Sequence, residues 1–327
     1  MKPRVHLTRA LKGVSVALVL AMSVSACSTP IQAPTPFHTQ HNRIIVTASV
    51  EVWASLAKQL GGRYVSANAI IATPNQDPHA YEATARDQLA VNLADITIEN
   101  GLGYDPFFAQ LTRAKPNPAK GMRFVAAGKL QNFTDSNPHV WYSLEATGLI
   151  AESLAIRVRA ALGNSSAPNT AESYVTARHA RFISALQSLE ARVAVLAAKN
   201  GAKNGKPGSR VLLTENFATD FLASAGYRDV TPSALYNAVE EGQDASPLLM
   251  SQLHDTIAAH RVDLVVLNSQ AENPQSAQLA AWAGKAGIPV LRWSELLPAH
   301  RNYISWMSGN LHDLETLHPV EEGQIID

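Results

Sequence analysis

The 327-residue chain holds a single cysteine, Cys27. No internal disulfide can form, and no set of thiolates is available for copper(I) or an iron–sulfur centre. The length likewise excludes a small disulfide-stapled scaffold and allows two medium domains, each with its own core. Neither sign of charge is in excess, since 27 Lys and Arg balance 27 Asp and Glu. Without a basic field, nucleic acid is not an expected partner and neither is an anionic membrane surface. There is no H-E-x-x-H helix and no G-x-S-x-G elbow, so the signatures of a zinc protease and of a serine hydrolase are both missing. Gly101-Leu102-Gly103 lacks the third glycine of a phosphate-binding loop and reads as a turn. The apolar run at 14–22 is too short to span a bilayer, and no repeat is visible at the residue level.

That short run has a different use. Lys2, Arg4, Arg9 and Lys12 precede it and small residues follow, the three-part build of a secretory signal. The segment ends Val24-Ser25-Ala26-Cys27, which resembles the bacterial lipobox, whose cysteine becomes the acylated first residue of the mature protein. Residues 28–40, with their Pro, Thr and Gln, read as a tether. The expectation is a signal peptide over 1–26, a lipid anchor on Cys27, a tether over 27–41, and contact with the membrane through that lipid only.

From residue 42 onward, β-branched runs alternate with helical patterns. Strands are expected at 43–47, 64–71, 94–99 and 122–126, and helices between them. Trp53, Leu56 and Leu60 share one helical face before Gly61-Gly62. Thr84 with Asp87 three residues on caps a helix carrying Leu89 and Leu93, and Asp105-Pro106 opens another. Val175, Phe182, Leu186, Leu189, Val193 and Leu196 then keep helical spacing with no internal Gly or Pro, which predicts one long helix. His179 lies off that apolar stripe and is expected in solvent. A second series follows, with strands at 211–213, 262–267 and 288–291, Ser246-Pro247 at a helix start, and Gly226 and Gly287 at helix ends. The predicted fold is α/β with two lobes, each a mainly parallel sheet flanked by helices: 42–169, a linking helix at 170–199, and 207–320. In such sheets ligands bind beyond the carboxyl ends of the strands.

Loops at those ends carry donors. His79 follows Asp77-Pro78 and His139 follows Asn137-Pro138, so in both a proline restricts the backbone just before an imidazole. In the second lobe Glu215 follows the strand at 211–213 and Glu295 follows the strand at 288–291. Asn268-Ser269-Gln270, just after a strand, are candidates to line the cleft or to orient Glu295 by a hydrogen bond. A lone loop histidine or strand-end acid is ordinarily only solvated. Two imidazoles and two carboxylates together make a borderline-to-hard donor set whose charge offsets that of a divalent ion.

The segments Asp77-Pro78-His79-Ala80-Tyr81-Glu82, Glu99-Asn100-Gly101 with Tyr104-Asp105, Asn137-Pro138-His139-Val140-Trp141 and Gly287-Ile288-Pro289-Val290 together resemble the zinc- and manganese-binding family of substrate-binding lipoproteins of bacterial ABC importers. The likeness runs from about 42 to 317. It implies two α/β lobes joined by one long helix, with a metal site in the cleft. It also implies that His79 and His139 are the first-lobe ligands. Glu215 falls where zinc-type members have a histidine and manganese-type members a glutamate; Glu295 falls where an aspartate is common. Glu240 and Glu241 are the alternatives to Glu295. The His- and acid-rich loop of many zinc-type members is missing, as in the manganese type, although N/O sites favour Zn2+ over Mn2+ by affinity.

The resulting expectation is an extracytoplasmic, non-enzymatic, monomeric protein that captures Mn2+ or Zn2+ and delivers it to ABC permease subunits. The rival reading is a secreted metallohydrolase using the same His/Glu site.

Overall fold

The structure is a computed structural model in which residues 43–73, 76, 81–115, 121–129, 137–163, 168–201 and 208–317 are described. Cys27, the expected signal and tether segments, and His79 lie outside the described residues. Among the described residues no helix is long and apolar enough to cross a membrane.

The first lobe runs β1 (Ile44–Val50), α1 (Glu51–Gly61), β2 (Val65–Ile71), α2 (Ala85–Leu93), β3 (Ile96–Glu99), α3 (Pro106–Arg113), β4 (Met122–Val125) and α4 (Leu144–Leu162). Its four strands are all parallel in the order β2-β1-β3-β4. After α5 (Pro168–Asn200) the second lobe runs β5 (Arg210–Leu213), α6 (Thr219–Ser224), β6 (Arg228–Asp229), α7 (Ser233–Glu240), α8 (Pro247–Ala258), β7 (Leu264–Asn268), α9 (Pro274–Lys285), β8 (Val290–Trp293) and α10 (Tyr303–Leu317). Its sheet is also parallel, in the order β6-β5-β7-β8. The two orders are the same, and in each lobe the four parallel strands present their carboxyl ends at one edge.

The α5 helix spans about 50 Å at the usual rise. Val175, Phe182, Leu186, Leu189, Val193 and Leu196 form its buried line, which packs on α4 and α1 of the first lobe. The last helix, α10, returns to pack against α5 and α1, and Arg192 of α5 pairs with Glu315 of α10 at 2.7 Å. One continuous apolar core therefore runs through both lobes: Trp53, Trp141, Trp293, Trp306 and Tyr303 belong to the same buried cluster. A smaller cluster, with Leu253, Val265 and Leu279, fills the far face of the second sheet.

Several local expectations change in the folded chain. The capping box at Thr84 and Asp87 forms, but Leu89 and Leu93 face solvent, each 57% exposed, and Val91 is the residue of α2 that reaches the core. His179 is not in open solvent. Its side chain is 13% exposed, and its Nε2 lies 3.1 Å from Glu152 of α4. The strands expected at 262–267 and 288–291 each begin two residues later, because Val262 and Ile288 are buried as lead-in residues that do not join the ladder. The two-residue β6 carries no apolar run and left no periodic signal.

Gly226, after α6, has φ +86°, and a Cβ there would fall 2.9 Å from the Ala197 Cα and carbonyl oxygen of α5. Both the positive φ and the backbone contact require glycine. Gly226→Ala should lower the unfolding free energy by about 2–3 kcal/mol, measured by urea denaturation; an unchanged midpoint would show that α5 and α6 are not in that register.

Candidate metal centre

The first-lobe half of the site is built from the turn after β3. Gly101, Leu102 and Gly103 all have positive φ, and the Asp105 carboxylate holds this tight turn by accepting the backbone N–H groups of Asn100 at 2.6 Å and Gly101 at 3.0 Å. Burial pushes the Asp105 pKa up, although those N–H bonds act in the opposite direction. Asn100 is thereby fixed. Its Oδ1 accepts from the Trp53 indole at 3.2 Å, and its Nδ2 donates to the carbonyl oxygen of Pro138 at 2.9 Å. Through Asp105 and Asn100, this turn thus seats the Asn137-Pro138-His139 loop.

In that loop Asn137 Oδ1 accepts from the His139 backbone N–H at 3.0 Å and lies 2.9 Å from His139 Nδ1. This arrangement favours the Nδ1–H tautomer and turns the Nε2 lone pair toward the second lobe. Nε2 is 3.3 Å from Glu295 Oε1.

The second-lobe half comes from the ends of β5, β7 and β8, neighbours in the sheet and spaced about 4.8 Å apart. Glu215 lies two residues beyond β5, Asn268 ends β7, and Glu295 lies two residues beyond β8. Asn268 Nδ2 donates to Glu215 Oε2 at 2.6 Å and to Glu295 Oε2 at 3.1 Å. From across the cleft, Tyr104 donates its hydroxyl to Glu295 Oε1 at 2.5 Å. The Trp141 indole donates to the Glu295 carbonyl at 2.9 Å, and the Tyr142 hydroxyl donates to the Ser294 carbonyl at 2.6 Å. Glu295 is thus held through both its side chain and its backbone by residues of the first lobe.

His139, Glu215 and Glu295 each offer a ligand atom, and these atoms lie within 4.8 Å of one another. All three side chains are nearly buried. Burial alone lowers the His139 pKa, but the hydrogen bond and charge of Glu295, with the charge of Glu215, raise it by more, and the net shift is upward. Burial and then the charge of Glu295 hold the Tyr104 phenol well above its ordinary range, so it stays a donor. One imidazole nitrogen and two carboxylates, dry and convergent, fit a divalent ion of the zinc or manganese kind.

Of the ligands expected from sequence, His139, Glu215 and Glu295 converge here, while His79 lies outside the described residues. Glu241 is exposed in the turn after α7 and is not in this group; the side chain of Glu240 is outside what is described. Asn268 does orient Glu295, and it touches Glu215 as well. Gln270 acts one step away, its Oε1 accepting the Leu296 N–H at 2.6 Å. The contact of Tyr104 with Glu295 has no local signature: the tyrosine is visible in the sequence only as part of a motif, and its partner is 191 residues away.

A family model described as "Zinc-uptake complex component A periplasmic" (ZnuA) matches residues 46–317. Among solved structures, the periplasmic zinc binding protein TroA from Treponema pallidum is 16% identical over 84% of this chain and 98% of that one, with a TM-score of 0.67. FpvC from Pseudomonas aeruginosa, solved with Mn2+, is 19% identical over 82% of this chain and 96% of its own, with a TM-score of 0.65. The metal-dependent lipoprotein YcdH from Bacillus subtilis is 17% identical over 84% and 98%, again with a TM-score of 0.65. At these identities the structural likeness establishes the two-lobe fold.

Tyr104→Phe removes one buried hydrogen bond to a carboxylate and leaves the ring in place. The metal-free protein should lose roughly 1.5–3 kcal/mol of stability, read from urea denaturation in the presence of a chelator. A loss near zero would mean that the bond across the cleft does not hold the lobes together.

Proposed function

The chain belongs to the ZnuA family of periplasmic zinc-uptake components, and from that premise we propose that His79, His139, Glu215 and Glu295 capture a divalent transition metal, Zn2+ or Mn2+, for the permease of an ABC importer. The protein is the extracytoplasmic metal-binding component of an uptake system, and the metal is its cargo. The observation that carries the ligand assignment is the convergence within 4.8 Å of donors from His139 of the first lobe and Glu215 and Glu295 of the second. TroA is named for zinc and FpvC was solved with Mn2+, which supports the same pair of metals here. Family membership favours a carrier over the metallohydrolase reading, and a site closed by four protein ligands leaves no position for a reactive water. The protein acts as a monomer, docking on its permease across the cleft.

The continuous core and the bonds from Tyr104, Trp141 and Tyr142 to the Ser294-Glu295 turn argue against a wide hinge. Release then proceeds by local displacement of that turn and of the His139 loop when the permease docks. The Cys27 anchor keeps the protein at the membrane surface meanwhile.

The pH dependence follows from His139. Its folded pKa is raised, so the metal-free protein gains stability from that proton below the unfolded value of about 6.5. That contribution is lost as the pH rises through the higher folded value. A metal needs the neutral ring and must expel the proton. Affinity should therefore already be falling while the pH is still above about 6.5, with proton release seen by calorimetry in buffers of different ionisation enthalpy. His139→Ala should weaken binding by at least about tenfold. An affinity that stays flat down to about pH 5, or full binding in His139→Ala, would remove His139 from the site.

Cys27→Ser should release the protein from the membrane fraction into the soluble extracytoplasmic fraction with metal binding retained. Fractionation of cells expressing the variant reads this directly, and a variant that stays with the membrane would refute the lipid anchor.

A further inference from the structure

The turn after β3 combines two uncommon properties at one residue. The backbone N–H of Tyr104 donates to the Gly101 carbonyl at 3.2 Å, and the two residues between them, Leu102 and Gly103, have φ of +54° and +79°. Two successive positive φ values belong to a type I′ turn, whose central positions are ordinarily Gly, Asn or Asp. A leucine strains that backbone, because its Cβ crowds the neighbouring carbonyl oxygen. Burial does not compensate, since Leu102 is 50% exposed. Among the described residues the other non-glycine residues with positive φ, His260 and His300, are polar. A Cβ at Gly103 would meet no atom within 4 Å, so the turn is open on its outer side. Singly exposed leucines are ordinary and need no explanation. One held on a strained turn, where asparagine would suit the backbone better, does need one.

Hydrogen bonds connect this residue to both lobes. Asn100, just before the turn, donates to the Pro138 carbonyl in the His139 loop, and Tyr104, just after it, donates to Glu295 across the cleft. The Asp105 carboxylate ties the turn together through the N–H groups of Asn100 and Gly101. Leu102 therefore stands between two arms, one to each half of the metal centre, and displacing it pulls on both. We propose that Leu102 is the docking tip of this protein: it enters an apolar recess on the extracytoplasmic face of the permease, and the turn then draws Tyr104 from Glu295 and Asn100 from the His139 loop, loosening the site for release. Leu102 has this role only if the protein is the permease-dependent carrier proposed above. A carrier must hold its cargo in solution and yield it on contact with its importer. A permease docking across the cleft meets this turn, because the turn already touches the second lobe through Tyr104. Docking buries the exposed leucine, which offsets the strain of carrying it on a left-handed backbone.

Leu102→Asn and Leu102→Gly suit the turn and remove the apolar tip, whereas Leu102→Met keeps one. Purified Leu102→Asn and Leu102→Gly should melt no lower than the wild-type protein and bind Zn2+ and Mn2+ within about twofold of it. In cells whose own copy of the gene is deleted, each variant is supplied in place of the wild-type protein and uptake of radioactive zinc and manganese is measured. Uptake should fall roughly tenfold or more with Leu102→Asn or Leu102→Gly and stay near the wild-type rate with Leu102→Met. Full uptake with Leu102→Asn or Leu102→Gly at matched protein levels overturns the docking tip. An equal loss of uptake in all three variants does the same, and so does a loss of metal affinity in the purified Asn and Gly variants, which would give Leu102 a part in the site itself. A wild-type protein that dimerises in solution, with Leu102→Asn monomeric, would assign the tip to a second copy and also overturn it. The wild-type gene separates the two levels. If it restores no uptake, the carrier function fails; if it restores uptake and Leu102→Asn matches it, only the role of Leu102 falls.

Discussion

Two carboxylates buried side by side are the constraint on which the centre of this molecule depends. Glu215 and Glu295 are each nearly inaccessible to solvent, and their negative charges would be expensive to bury without donors or a cation. The structure surrounds them with donors: Asn268 bridges the pair, the Tyr104 hydroxyl reaches Glu295 from the opposite lobe, and His139 lies beside the same oxygen. These groups satisfy the acids in the metal-free state and aim them at a common point. Under the proposed assignment, a divalent cargo supplies the remaining charge.

Satisfying Glu295 also joins the lobes. Its side chain and backbone, together with the Ser294 carbonyl, take hydrogen bonds from Tyr104, Trp141 and Tyr142, and Tyr303 of α10 bonds back to the Trp141 carbonyl at 2.8 Å. Around this point Tyr142 packs edge-on against Phe217 and Trp306. The apolar core is therefore continuous from β1 to α10, and α5 braces it along its length. A joint bonded so closely favours small, local movements over a wide hinge.

The asparagine-rich turns have a related purpose. Asn100 connects Trp53 to the His139 loop, Asn137 orients the imidazole, and Asn268 spans the two acids. Each amide has both a donor and an acceptor and no charge, so it can be buried and can orient a charged neighbour without competing with it for the ion. In the turn after β3 an aspartate, Asp105, does the analogous work by accepting backbone N–H groups.

The amino-acid sequence by itself determined the alternation of strands and helices, the long helix α5, the caps at Thr84 and Ser246, and the strand-end placement of Glu215 and Glu295. These rest on periodicity and on short-range hydrogen bonding, in which the deciding partners lie within a few residues. The donor types His and Glu were legible for the same reason, since side-chain chemistry is carried by the residue itself. Tertiary structure alone decided that Leu89 and Leu93 face outward, that His179 meets Glu152, and that a two-residue segment, β6, completes the second sheet. It alone placed Tyr104 on Glu295, and set Asn268 between two acids 53 and 27 residues away. Those contacts depend on strand order and on the docking of one lobe against the other, and no local pattern in the chain encodes either.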